Sequence, residues 1–306
     1  MKTKTLKKIA FFILAALPFV ALLAVGFKYD LALDQFLYNP KNALGIWAEV
    51  LGWWPLYLGL PLLGFVLLNF VRQNKKAENN ALKPNLKVCI PLFCAGIFFT
   101  VGGVGALIKP ACDYMVKRGF SFFGGSTAVW LIVGLSAVVI LIALLVRVSK
   151  CVLYKLAGFS AFWIAFMVIE NIVINLMKTI WNRTRFDTML LKGEGFERFT
   201  SWLTLAGNGG TSFPSGHTAA AATILLCVFL CKLFTACKGR ERNFVVISYI
   251  YIVLVGFGRL IIGRHFLSDV TMATLVVTIL TVVLWYLPPV QKYFAKVKEK
   301  AESYKK

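Results

Sequence analysis

The chain has 306 residues, 59% of them hydrophobic and only 15% charged, with a formal net charge of +21. That balance excludes a soluble globular fold and fits a multi-span membrane protein. The 34 basic residues lie between apolar runs, so the charge records membrane topology rather than a nucleic-acid surface.

Lys2, Lys4, Lys7 and Lys8 precede an apolar run from 9 to 27, which reads as a retained first transmembrane helix rather than a cleaved signal peptide. Seven further runs follow at 46 to 71, 87 to 108, 127 to 146, 156 to 177, 215 to 235, 243 to 262 and 266 to 287. Most are near the ~20 residues needed to cross ~30 Å of hydrocarbon. The predicted fold is therefore all-α, a polytopic transmembrane helical bundle of about eight spans. The stretch from 109 to 126, with Lys109-Pro110, Lys117, Arg118 and Gly124-Gly125, predicts a loop. Cys89, Cys94, Cys112, Cys151, Cys227, Cys231 and Cys237 lie in or beside apolar segments without metal or disulfide spacing and read as buried thiols.

With the N-terminus inside, the inner segments carry 22 basic residues and the outer ones 12. The positive-inside rule then puts both termini in the cytoplasm. The end from Gln291 onward, with Lys292, Lys296, Lys298, Lys300, Lys305 and Lys306, reads as a solvated basic tail that favours anionic lipid headgroups. Trp53 and Trp54 fall inside the second run, and Trp181 and Trp202 in a long outer loop, so neither pair decides topology.

Three polar islands fall on the outer side. The first, Lys178 to Arg185, sets an ammonium and two guanidinium groups (Arg183, Arg185) at a helix end, both types suited to phosphate oxygens. Asn171 and Asn175 continue it upstream as a polar stripe at helical spacing. Glu170, one residue off that stripe, reads as a buried ion pair or protonated hydrogen-bonding acid rather than a catalytic group. The second island runs from Ser212 to His217, and its Pro214-Ser215-Gly216-His217 opens a helix after the loosening residues Asn208, Gly209 and Gly210. Backbone N–H groups at a helix start attract anions, and Gly216 lets an anion approach the main chain. Ser215 is either a further donor or a helix cap. The third island runs from Arg259 to Asp269. His265 and Asp269, four apart, share a helical face, so the carboxylate can fix the imidazole tautomer and leave the other nitrogen free as a nucleophile. His217 and His265 are the only two histidines in the chain.

These islands resemble the signature of the type 2 phosphatidic acid phosphatase superfamily, which includes membrane lipid phosphatases and soluble vanadium haloperoxidases. The pattern of that family is Lys-six-Arg-Pro, Pro-Ser-Gly-His and Ser-Arg-five-His-three-Asp. Here it reads Lys178 through Arg185-Phe186, Pro214 through His217, and Gly258-Arg259 through His265 and Asp269. Phe186 stands where the family has proline and Gly258 where it has serine. The match covers residues 170 to 270.

The resemblance implies a six-helix phosphatase core, at residues 151–290, preceded by additional N-terminal transmembrane helices within 1–150 and followed by the basic cytoplasmic tail 291–306. It implies a bacterial inner-membrane phosphatase with its site on the extracytoplasmic face. Its substrate would be phosphatidic acid, phosphatidylglycerol phosphate, an isoprenyl diphosphate or a lipid A type phosphate. His265 would attack phosphorus, Asp269 orient it and His217 protonate the leaving oxygen. Lys178, Arg185, Ser215, Gly216 and Arg259 would hold the phosphoryl oxygens, with no metal and no cofactor. Arg183 and Arg264, beside the motifs, would be either headgroup contacts or solvated charges. The alternatives are a phosphotransferase using the same phosphohistidine and a silent lipid-binding relative. The membrane and its lipid are the partners implied, and nucleic acid is not.

Overall fold

Long apolar runs leave the backbone only itself to hydrogen-bond with in hydrocarbon, and helices satisfy that condition within one segment. The computed structural model describes residues 2–77, 86–117, 125–191, 193, 195–205, 207 and 209–305. Arg118, Gly124, Asn208 and Lys306 lie outside the described residues. The helices in chain order are α1 Lys2–Leu37, α2 Ala43–Leu51, α3 Trp54–Tyr57, α4 Gly59–Ala77, α5 Leu86–Lys117, α6 Gly125–Leu145 and α7 Lys150–Trp181. They continue with α8 Phe186–Leu191, α9 Gly216–Ala222, α10 Leu230–Leu233, α11 Glu241–Ile261, α12 Leu267–Tyr286 and α13 Pro288–Glu302. A 3₁₀ stretch, Thr223–Phe229, joins α9 to α10. The fold is all-α and polytopic, with no strand among the described residues. Among the described residues, seven helices are long and apolar enough to cross a membrane, and eight when the broken run Ala43–Gln73 counts as one span.

Four expectations need correction. α1 does not stop near 27 but continues to Leu37, because Lys28, Asp30 and Asp34 interrupt the hydropathy without interrupting the helix. The loop predicted from 109 is helical as far as Lys117, with Pro91 and Pro110 both inside α5. Helices in apolar surroundings tolerate proline where local adjustment re-satisfies the freed carbonyl. Cys94 is exposed rather than buried. The solvated tail is instead the helix α13, whose Phe294 and Ala301 are buried.

The described residues form two compact units. The first comprises Met1–Gly52, Glu170–Ala222 and Tyr249–Leu280. Its loops are pinned by backbone bonds between sequence-distant segments: Asn39 N–H to Ile261 O at 2.7 Å, Asp187 N–H to Gly263 O at 2.9 Å, and Ser212 N–H to Arg183 O at 2.9 Å. Aromatic rings fill the space beneath. Phe186 packs on Tyr38 and Phe196, and Phe213 lies against Trp181 and Trp202. Both departures from the family pattern have a cause here. Phe186, in place of proline, is a buried anchor in a cluster with Met189 and Phe266. Gly258, in place of serine, leaves room for α2: a Cβ there would sit 2.5 Å from Ala48 Cβ and 2.8 Å from Leu44 O.

The second unit comprises Trp53–Ile169, Thr223–Ser248 and Thr281–Lys306. Arg72 and Gln73 of α4 cap carbonyls that follow α6, Val146 O at 2.9 Å and Val148 O at 2.6 Å. Trp163 of α7 donates to Pro55 O at 2.9 Å. α13 docks by its apolar stripe: Phe294 lies 5.0 Å from Phe162 and 5.3 Å from Phe229, and Tyr293 donates to Gly158 O at 2.7 Å.

Candidate active site

The three islands meet within the first unit. α7 ends at the first island, and Lys178 in its last turn donates from Nζ to Thr211 O at 2.7 Å. Arg185 reaches the same residue, Nη2 to Thr211 Oγ1 at 3.2 Å. Both cations of the first motif are therefore set against the loop that leads into the second. That loop is in turn tied to the third: Ser215 N–H donates to Asp269 O at 3.1 Å, and Ser212 Oγ–H donates to Asp269 Oδ2.

Ser215 caps α9, as one of its two readings had it. It is fully buried, and its Oγ accepts from Thr218 N–H at 3.3 Å and from Thr218 Oγ1 at 2.9 Å. His217 follows in the first turn, partly exposed. The ring bonds to the backbone of Glu49 and lies within electrostatic reach of Arg259, Arg185 and the His265 imidazole. The two imidazoles thus belong to one site.

His265 lies in the turn between α11 and α12 and is 1% exposed. Its Nδ1 faces Asp269 Oδ2 at 3.5 Å, longer than a formed hydrogen bond. Burial holds this imidazole down to about 3 against the raising effect of Asp269, with Arg185, Lys178 and Arg259 adding to the depression. The ring is therefore neutral near pH 7, the form in which a nitrogen lone pair is available. Asp269 has a crowded carboxylate. Oδ1 accepts from Arg183 Nη1 at 2.7 Å, and Oδ2 accepts from Phe266 N–H at 3.0 Å as well as from Ser212.

Arg259 is buried and ion-paired through Nη1 with Glu49 of α2. Three buried side-chain nitrogens at this one site have no hydrogen-bond partner: Arg185 Nε, Arg259 Nε and His265 Nδ1. Buried polar atoms are almost always satisfied; His265 Nδ1 is turned to Asp269, and the two remaining guanidinium donors, Arg185 Nε and Arg259 Nε, indicate a site made for an acceptor-rich ligand.

Two of the predicted site residues are placed differently. Arg183 is neither a headgroup contact nor a solvated charge. It is fully buried, bonded to Thr200 O at 2.8 Å, Ser268 Oγ at 2.9 Å, Asp269 and Asp30, and stacked 4.1 Å from the Phe266 ring centroid. Arg264, one-third exposed, is not a free charge either but pairs with Asp187 at 2.8 Å. The upstream polar stripe also fails at Asn175, which is exposed and spends its amide on Asn171 O. Glu170 is buried, with Lys178 as the charge acting on it.

Sequence reasoning missed Asp30 and Glu49, which α1 and α2 bring to the site from the stretch expected to be an addition without assigned role. Glu49 is an acid within an apolar run, the same signal that drew attention to Glu170, whereas Asp30 lies just past the end assigned to the first run. Ser212, which holds Asp269, stood inside the second island but without an assigned role. Among the described residues, no cluster of His, Cys, Asp and Glu has the arrangement of a metal site.

The scaffold is thus polytopic and all-α, and its site sets a group of buried cations beside two imidazoles. Residues 160–293 match the PAP2 superfamily, a segment that holds all three motifs. The match falls on the stretch whose motifs carried the resemblance. A stretch of 98 residues, 31% of this chain and 48% of the relative, is 32% identical to phosphatidylglycerophosphatase B of Bacillus subtilis (strain 168). The chain spans about half the length of that relative. No solved structure matches.

Proposed function

We propose that this protein is an integral-membrane phosphatase that hydrolyses a lipid phosphate through a phosphohistidine. The observation that carries the reading is the pair of buried guanidinium nitrogens without partners, Arg185 Nε and Arg259 Nε, among charges that act on both His265 and His217, with Lys178 at the same site. In the first step the free nitrogen of neutral His265 attacks phosphorus, the phosphorus–oxygen bond to the lipid breaks, and His217 gives its proton to the departing alkoxide. A positioned acid is worth about 10²–10⁴ in rate for such a leaving group. Asp269 faces Nδ1 and offsets the charge that ring acquires. Lys178, Arg185, Arg259 and the Gly216 amide hold the phosphoryl oxygens as charge builds on them. In the second step His217 takes a proton from water, the hydroxide attacks phosphorus, and inorganic phosphate leaves with His265 restored. None of these steps calls on a metal, so turnover is expected to survive a chelator.

Phosphatidylglycerol phosphate is the first substrate to test, on the name of the similar protein, followed by phosphatidic acid, isoprenyl diphosphate and lipid A type phosphates. The charge asymmetry supports cytoplasmic termini and an extracytoplasmic site in a bacterial inner membrane. Purified protein in detergent is expected to release inorganic phosphate from at least one of these lipids. His265→Ala abolishes that release and leaves the protein folded. His217→Ala slows the first step most for alkoxide leaving groups. Full activity in the His265 variant refutes the nucleophile, and transfer of label to a second lipid without inorganic phosphate would make the protein a phosphotransferase.

A further inference from the structure

Asp30 lies outside all three motifs and outside the matched segment 160–293, yet it is 1% exposed and bonded to residues that surround Asp269. Its position depends on a close helix approach. A Cβ on Gly26 would sit 2.9 Å from Asp30 Oδ1 and 3.0 Å from both Cβ and N of Ser268, so α1 can lie this near the start of α12 only with glycine there. Asp30 Oδ1 accepts from Ser268 N–H at 3.0 Å. Asp30 Oδ2 accepts from Ser268 Oγ–H and from Arg183 Nη2 at 2.9 Å. Arg183 Nη1 then donates to Asp269 Oδ1 at 2.7 Å, which leaves Asp269 Oδ2 on the side of His265 Nδ1.

One guanidinium is thereby shared between two fully buried carboxylates. Left with Asp269 alone, its fork would favour both oxygens of that carboxylate at once, the usual geometry of an Arg–carboxylate pair. Oδ2 would then be drawn away from His265. Asp30 prevents this by occupying Nη2.

Resting on the phosphohistidine reading, we infer that Asp30 is a positioning residue of α1, which holds Arg183 to one oxygen of Asp269 and keeps the other oxygen facing His265. It touches none of the cations assigned to the phosphate, so its loss acts on turnover rather than on substrate binding. A purely structural role, as an external cap on α12, would lower stability and leave kcat of the folded protein intact.

The test measures phosphate release by purified Asp30→Asn in detergent, on whichever lipid the wild type hydrolyses fastest. Thermal unfolding is followed in parallel. We expect kcat to fall about 10-fold with KM unchanged, the low end of the loss for outer partners of a functional histidine, because two residues, Arg183 and Asp269, stand between Asp30 and His265. Ser268→Ala, which keeps both charges and removes only the bridging hydroxyl, shifts kcat in the same direction by less, and it decides the matter if Asp30→Asn does not fold. Wild-type kcat in either folded variant, or a loss confined to KM, overturns the inference. His265→Ala separates the two levels: if it is inactive while Asp30→Asn turns over normally, only the role of Asp30 is lost. If it is fully active, the phosphohistidine reading itself is lost.

Discussion

Restoring the family's serine at position 258 is expected to harm this protein. A Cβ on Gly258 would lie 2.5 Å from Ala48 Cβ and 2.8 Å from Leu44 O. Carbon atoms in contact settle about 3.5–4.0 Å apart, so α2 must retreat by roughly 1 Å. Ala48 is fully buried and clustered with Ala221 and Val255, which leaves α2 little room to move. Overpacking of this kind costs about 1–3 kcal/mol. Retreat also carries away Glu49, the neighbour of Ala48 and the partner of Arg259. Gly258→Ser should therefore unfold earlier in a detergent-solubilised melt and show a raised KM in phosphate release. Gly258→Ala should do the same, because the added carbon rather than the hydroxyl is at fault. Ala48→Gly combined with Gly258→Ser should recover only part of the loss, since the Leu44 carbonyl stays in place and glycine in a helix costs about 1 kcal/mol. A Gly258→Ser variant as stable as the wild type and with a lower KM would refute the steric account and make the absent hydroxyl the limiting feature.

The depressed titration of His265 predicts a pH-dependent stability. An unfolded imidazole titrates near 6.5 and the folded one near 3, so between those values the unfolded state binds the extra proton. The contribution is intact above pH 6.5 and is lost at about 1.4 kcal/mol per unit as pH falls towards 3; across pH 4 to 7 the stability of wild type should fall more steeply than that of His265→Asn by about that slope, and parallel slopes would reject the assignment. Asp34 is buried with both carboxylate oxygens unbonded, so Asp34→Leu is expected to stabilise the protein by about 1–3 kcal/mol, and a lower thermal midpoint would reject that. Phe294→Ala, which empties the contact between Phe162 and Phe229, should cost about 3–5 kcal/mol. An unchanged melt would mean that α13 is not docked in solution.

The legibility of this chain followed the range of its contacts. His217, His265 and Asp269 were found because polar groups at a span boundary stand out against apolar neighbours, and because His265 and Asp269 are one helical turn apart. The same contrast hides a residue whose partner is remote. Asp30 meets Arg183 across 153 positions and Glu49 meets Arg259 across 210, and neither has a local companion that would mark it as paired. Arg183 was misplaced for a related reason, since a guanidinium two residues from Arg185 looks exposed until the acids that bury it are known. The docking of α13 was masked by charge: Val290, Phe294, Val297 and Ala301 form a stripe at helical spacing, but four lysines dominate the composition of that segment. At Lys109-Pro110, turn rules suited to water were applied to a helix in apolar surroundings. A closer reading of isolated acids in or just past apolar runs would have recovered most of what was missed. Asp30, Asp34, Glu49 and Glu170 are all such acids, and a carboxylate kept in hydrocarbon against its solvation cost has to be held by a cation or used. Two of the four are held by the arginines of the site, which ties the N-terminal helices to the motif residues more firmly than any feature of the motifs themselves.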